Sequence, residues 1–188
     1  MSQQQGEKLV SQTNSPFRTH PWPLEQLRTV LRGVRLQRAK LRGPARFIYG
    51  DEVTFAKGAD IRAPHFFELG HHVSFGKNFT CEVDTRVGNH VLISSCVSII
   101  GRDHGFDDPT VTIYEGLKNK DSFVEIGSDV FIGFGSIIVG TSRIGDGCIV
   151  GAGSVVVKDL PAFTLCAGVP AKAIRPRYPD DSIDRTGA

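Results

Sequence analysis

The chain has 188 residues, a length that suggests one domain and at most two. Hydrophobic residues make up 40% and charged residues 22%, ordinary values for a globular protein, so wholesale disorder is excluded. Lys and Arg number 22 against 20 Asp and Glu, and a formal charge of +2 argues against a general nucleic-acid binder. No apolar run approaches the ~18 residues that a membrane span needs. The segment MSQQQGEKLVSQTNS lacks the apolar stretch of a secretory signal, so a cytoplasmic location is expected.

Residues 1–20 are polar, rich in Gln and Ser, and expected to be disordered. An N-terminal segment, 21–46, carries one helix over residues 23–42. Leu24, Leu27, Leu31 and Val34 recur at spacings of three and four, Pro23 suits a first turn, and the apolar face is expected to pack on the main domain. The polar face holds Arg28, Arg32, Arg35, Arg38, Lys40 and Arg42 against Glu25 alone. It reads either as a solvated face or as a patch for an anionic surface such as lipid headgroups, with peripheral membrane association as the consequence.

From about residue 47 the pattern changes to a repeat. Apolar residues fall at every sixth position, at Leu69, Phe75, Cys81, Val87, Ile93 and Ile99, and again at Ile126, Ile132, Ile138, Ile144, Val150 and Val156. A Gly often follows, and two residues earlier stands a small or β-branched residue such as Val73, Thr85, Val91, Val97, Val130, Ser136, Ser142 or Ser154, with Phe79 departing from the rule. Strand residues i and i−2 point the same way, so each six-residue unit is one side of a coil that turns at a corner. Three sides close a triangular turn, and stacked turns bury an aliphatic column. No α-helix has this period. The helix at 23–42 is placed to cap the first coil, and residues 160–178 to close the last, ahead of a flexible tail at 178–188.

The repeat breaks once, between Ile99 and Ile126, where a polar segment must leave the coil as a protruding loop at 102–123. Loops on rigid scaffolds are where function tends to lie. His104 stands at its start, in GRDHGFDD. The four cysteines, Cys81, Cys96, Cys148 and Cys166, have neither C-x-x-C nor zinc spacing and read as small buried hydrophobes.

The run 124–177, with its period, Gly corners and closing AGVPAK, resembles the hexapeptide-repeat acyltransferases, most closely the galactoside, maltose and polysaccharide O-acetyltransferases. The resemblance covers residues 47–177. It implies an all-β domain, a left-handed parallel β-helix of hexapeptide repeats, with acetyl-CoA as co-substrate, no metal, and active sites between the subunits of a homotrimer. His104 matches the family's catalytic histidine, which as general base would take the proton of an attacking hydroxyl. Asp103, Asp107, Asp108, Glu82 and Asp84 are candidates to orient it, and Glu82, Asp84 and Asp103 candidates to hold a sugar or glycan acceptor. Glu82 and Asp84 read equally well as ordinary coil residues. For acetyl-CoA the resemblance implies Phe131, Gly133, Ala152, Val157, Lys158, Lys172 and Arg175; the basic three suit phosphate. Phe131 stands where the galactoside and maltose enzymes have Trp.

The expected reaction is acetyl transfer to a sugar hydroxyl, as in cell-surface polysaccharide biosynthesis, without a covalent acyl-enzyme. A small diffusible acceptor (serine, a free sugar, a chloramphenicol-type antibiotic) is the alternative. A non-catalytic β-helix scaffold is the alternative of another class. The zinc-dependent γ-type carbonic anhydrases share the fold but pair histidines five residues apart, and His20, His65, His71, His72, His90 and His104 offer no such pair.

Overall fold

Alternation of buried and exposed residues over two to five positions at a time divides the chain into short strands, each too short to stand alone. A computed structural model describes residues 22–101, 108–116 and 122–178. The strands stack in register into three sheets that form the sides of a parallel solenoid. Sheet A has five strands, beginning with Arg46–Tyr49 and ending with Ser142–Ile144; sheet C has five, from Asp60–Ile61 to Val155–Val156. Sheet B has seven and begins with Thr54–Phe55. The chain runs from A through B to C in each coil, and every pairing is parallel except the last one in sheet B.

The column reads as the repeat predicts. Phe75, Cys81, Val87, Ile93, Ile99, Ile126, Ile132, Ile138, Ile144, Val150 and Val156 are buried, and so are Val73, Phe79, Thr85, Val91, Val97, Val130, Ser136, Ser142 and Ser154 two residues ahead of them. Phe79 fits because the first coils are wider and aromatic: its ring packs 4.6 Å from Phe75, and Phe55 stacks on Phe75 at 4.5 Å. Sites that need a left-handed backbone fall at corners, where Asn78, His72, His90 and Asp129 have positive φ; Asn, Asp and His tolerate that conformation best among residues with a Cβ.

Coil length is not uniform. Strands of the first coil pair with residues 20 positions on, as Thr54 does with Ser74. In the next coil the step is 18, from Ser74 to Leu92, and across the loop it is 39, from Leu92 to Phe131. Both surpluses leave the column at one edge, where sheet C turns into sheet A.

Helix α1, Trp22–Arg42, lies over the open end of the first coil and meets the strands Thr54–Phe55 and Asp60–Ile61. It docks through Leu36 and the buried Ala39, not through the face expected from the spacing. Leu27 is 54% exposed, Val34 46% and Leu31 41%, on one stripe with exposed Val30 and Leu41; the side chain of Leu24 lies outside the described residues. The contact is shared with arginines: of the expected stripe Leu31 reaches the cleft against Phe55 and Phe75, beside Arg28, Arg32 and Arg35. At the other end, Thr164–Ala167 adds a parallel strand to sheet B and Lys172–Pro176 returns antiparallel to it, closing the last coil. The expected disorder of 1–20 and of most of the tail falls outside the described residues.

Candidate active site

The edge between sheets C and A gathers the titratable groups. Between strand Asp60–Ile61 and strand Phe66–Leu69 the corner Arg62-Ala63-Pro64-His65 holds the two residues by which the first coil exceeds the next. Asp84, at the start of a strand one coil later, pins this corner. Its Oδ1 accepts the backbone N–H groups of His65 at 2.8 Å and Phe66 at 2.9 Å, and its Oδ2 lies 2.8 Å from His65 Nδ1. Asp84 is only 7% exposed. Burial pushes its carboxyl up, but the N–H groups of Phe66 and His65, with the imidazole, outweigh burial and hold it below the usual carboxylate range. An ionised carboxylate only accepts, so Nδ1 of His65 carries the proton. In the tautomer that this bond selects, Nε2 is the nitrogen left to face outward, on a side chain that is 68% exposed. His65 was missed in the sequence because its partner is 19 residues away; the eight-residue step from Ile61 to Leu69 is the signal that marks its corner.

Glu82 sits at the same edge, 2.8 Å from Arg62, which also pairs with Asp60 at 3.1 Å. Phe123, the first residue of the strand after the loop, pairs in register with Asp84 and packs its ring 5.7 Å from Phe66. The Arg86 guanidinium lies 5.9 Å from both rings and bonds Glu68 at 2.9 Å. The loop leaves after Gly101 and returns at Ser122, whose hydroxyl donates to the Gly101 carbonyl, so its two stems are tied together beside the His65–Asp84 pair. His104, Asp103 and Asp107 lie outside the described residues. Asp108 is described and spends its carboxylate on its own turn, accepting from the backbone N–H and hydroxyl of Thr110 at 2.9 and 2.6 Å.

The residues expected to hold the donor divide between two edges and one face. Phe131, 40% exposed, stands on the outer face of sheet B in a row that continues through Ile149 and Leu165 to Arg175. Gly133 and Ala152 meet on successive coils at the edge between sheets B and C. A Cβ on Gly133 would lie 2.5 Å from the Ala152 amide nitrogen, so only Gly lets the coils close there. Lys172 joins this edge through its pairing with Ala167. Val157 and Lys158, both exposed, follow strand Val155–Val156 and stand at the C–A edge with the loop stems and Glu82. Sheet C therefore separates Ala152 and Lys172 from Lys158 within one chain.

Three of the four thiols are out of reach of this chemistry. Burial pushes Cys81 and Cys148 up to about 12 and Cys166 upward as well, which disfavours a thiolate at those three. Cys96 is exposed. No group of three or more metal-ligating side chains is gathered among the described residues. No helix among them is long and apolar enough to cross a membrane.

Residues 123–158 match the family described as bacterial transferase hexapeptide (six repeats). The galactoside O-acetyltransferase of Escherichia coli is 30% identical over 133 residues, covering 65% of this chain and 63% of that protein. The serine acetyltransferase of Bacillus subtilis is 31% identical over 132 residues, covering 69% of this chain and 50% of that protein. The chain thus spans less than two thirds of the length of these relatives. Among solved structures, AntD, an N-acyltransferase from Bacillus cereus crystallised with dTDP-4-amino-4,6-dideoxyglucose and coenzyme A, superposes with a TM-score of 0.57. That match covers 77% of this chain and 90% of AntD at 22% identity, a likeness of fold.

Proposed function

We propose that the chain is a hexapeptide-repeat transferase and that it moves an acetyl group from acetyl-CoA to a hydroxyl of a sugar, with His104 as general base. The observation that supports this reading is the single 39-residue step in the ladder, whose surplus sequence, His104 included, is inserted between Gly101 and Ser122 at the edge that also holds Glu82, Asp84 and Lys158. The acceptor hydroxyl attacks the thioester carbonyl as the imidazole takes its proton. The tetrahedral oxyanion collapses, the C–S bond breaks, and the departing thiolate recovers the proton from the imidazolium. Direct transfer suits a chain whose buried thiols are held protonated and whose site residues include no obvious acyl carrier.

Phe131, Gly133, Ala152, Val157, Lys158, Lys172 and Arg175 would line the donor site. Their division across sheet C supports a homotrimer, in which one subunit's edge faces a neighbour's and the donor lies between them. The outer face of sheet B supports the same assembly: Leu92 and Phe131 stand exposed there, whereas sheet A turns out the ion pairs Glu68–Arg86 and Glu125–Arg143. The sugar reading follows the galactoside enzyme and the nucleotide-sugar complex of AntD; the serine enzyme among the relatives keeps a small diffusible acceptor as the second reading. A precursor of a cell-surface polysaccharide is the acceptor that would suit peripheral docking of α1, whose exposed Leu27, Val30, Leu31 and Val34 flank its arginines. A thiol-release assay with acetyl-CoA across free sugars, nucleotide sugars, serine and chloramphenicol tests the proposal. Release with sugars is expected; release with none of the four classes would overturn it.

A further inference from the structure

Among the described residues His65 is the one exposed imidazole of the C–A edge that a buried carboxylate holds from behind, and that carboxylate pairs in register with Phe123, next to Ser122. We propose that His65 is an acceptor-positioning residue: its bare Nε2 accepts a hydrogen bond from a hydroxyl of the acceptor, and Asp84 fixes the tautomer that makes this possible. The inference deepens the acetyl-transfer reading and rests on it.

Three observations support the assignment. The ring is pre-oriented, because Asp84 grips the backbone of residues 65 and 66 through one oxygen and Nδ1 through the other. A side chain held on both its main chain and its ring loses little further freedom on binding. The lone pair is available: Nδ1 is spent on Asp84 and no described residue bonds Nε2. The place is right, because Phe123 pairs with Asp84 directly after Ser122, the returning stem of the loop. On either side of Asp84 in the same row of sheet A, Phe66 and Phe123 form an apolar floor 5.7 Å between centroids, with Arg86 over both rings. An apolar platform next to a fixed polar acceptor is how proteins hold the C–H face and a hydroxyl of one polyol at once. The charged groups around the ring are Asp84 from the following coil, the Arg62–Glu82 pair along the edge, and Arg86 with Glu68 and Arg46 on sheet A. Only Asp84 among them touches the imidazole.

The test separates positioning from chemistry and from fold. His65→Ala should raise the acceptor KM roughly tenfold, the loss of one hydrogen bond of ~1.4 kcal/mol, with kcat within about threefold. The KM for acetyl-CoA should not move. His65→Gln, whose side-chain oxygen can occupy the Nε2 position, should recover part of the loss. Asp84→Asn retains an oxygen for the two backbone N–H groups but offers an amide N–H to Nδ1, which drives the ring proton to Nε2. It should therefore weaken the acceptor like His65→Ala, and the double variant should be no worse than either single one. Nitrogen-15 NMR of the histidine ring gives a readout without turnover: wild type should show a protonated Nδ1 and a bare Nε2, and Asp84→Asn the reverse. An active wild type whose acceptor KM is unmoved by His65→Ala would overturn the inference alone. So would a kcat loss above about a hundredfold at unchanged KM, which would make His65 the base. A wild type that releases no thiol with any acceptor would instead overturn the acetyl-transfer reading beneath it.

Discussion

The column and the C–A edge are made by the same chain in the same coils, yet they obey different rules. In the column the inward residues stay aligned from coil to coil, 18 positions apart wherever the edge adds nothing, and they serve to pack and to tie the corners. At the edge the step is 20 in one coil and 39 in another, and the surplus residues carry His65 and the loop of His104. Regularity buys stability cheaply in a solenoid, because each added coil covers the last; chemistry is confined to the places where the register is allowed to slip.

The sharpest way to break this comparison is to remove the loop imidazole. His104→Ala is expected to lower kcat by roughly 10²–10⁴ at an unchanged acetyl-CoA KM, with the melting temperature within a degree or so of wild type, since no column atom is lost. Steady-state kinetics beside a thermal melt would read both; near-normal turnover would place the base elsewhere on the edge. The converse substitution belongs to the column. Ile138 is fully buried between Ile99 and Val156, and Ile138→Ala should cost about 2–5 kcal/mol in chemical denaturation while active molecules keep their kcat.

Smaller effects sharpen the border between the two. Lys158→Ala and Arg175→Ala should raise the acetyl-CoA KM more than they lower kcat, because a phosphate contact does not change during reaction. Equal KM values in both variants and wild type would move the donor off these residues. The smallest effect concerns acid. Asp84 has its carboxyl held below the ordinary range in the folded chain, so its contribution to stability is present above the unfolded carboxylate pKa and fades as pH falls through the folded one. The stability difference between wild type and Asp84→Asn should therefore shrink progressively below about pH 4 in denaturant titrations.

The column was legible because a period of six leaves the same residue types at Ile126, Ile132, Ile138 and Ile144 in plain view. The first coil was harder to read. Phe55 and Ile61 continue the series backward, but eight residues rather than six lie between Ile61 and Leu69, which hides the register at the corner where His65 sits. Asp84 was visible as a carboxylate, but its partner was not, since nothing local links two residues a coil apart. On α1 the spacing found the apolar stripe correctly and its environment wrongly. A 3.6-residue period says which residues share a face, not whether the coil end is broad enough to cover that face, and here Leu36 and Ala39 fill the available contact.

The clasp between Ser122 and Gly101 has a consequence for how such a chain can change. Because the two stems are joined at their base, the ladder above and below is indifferent to what lies between them, and the register resumes at Phe123 as if nothing had intervened. Lengthening a closed loop is inexpensive, about 0.6 kcal/mol for each doubling. The segment is therefore a cassette: it can be lengthened, shortened or exchanged for one that meets a different acceptor while the solenoid beneath it stays the same. A lineage built on this plan would diverge first and fastest between residues 101 and 122, and a designer seeking a new specificity would start there.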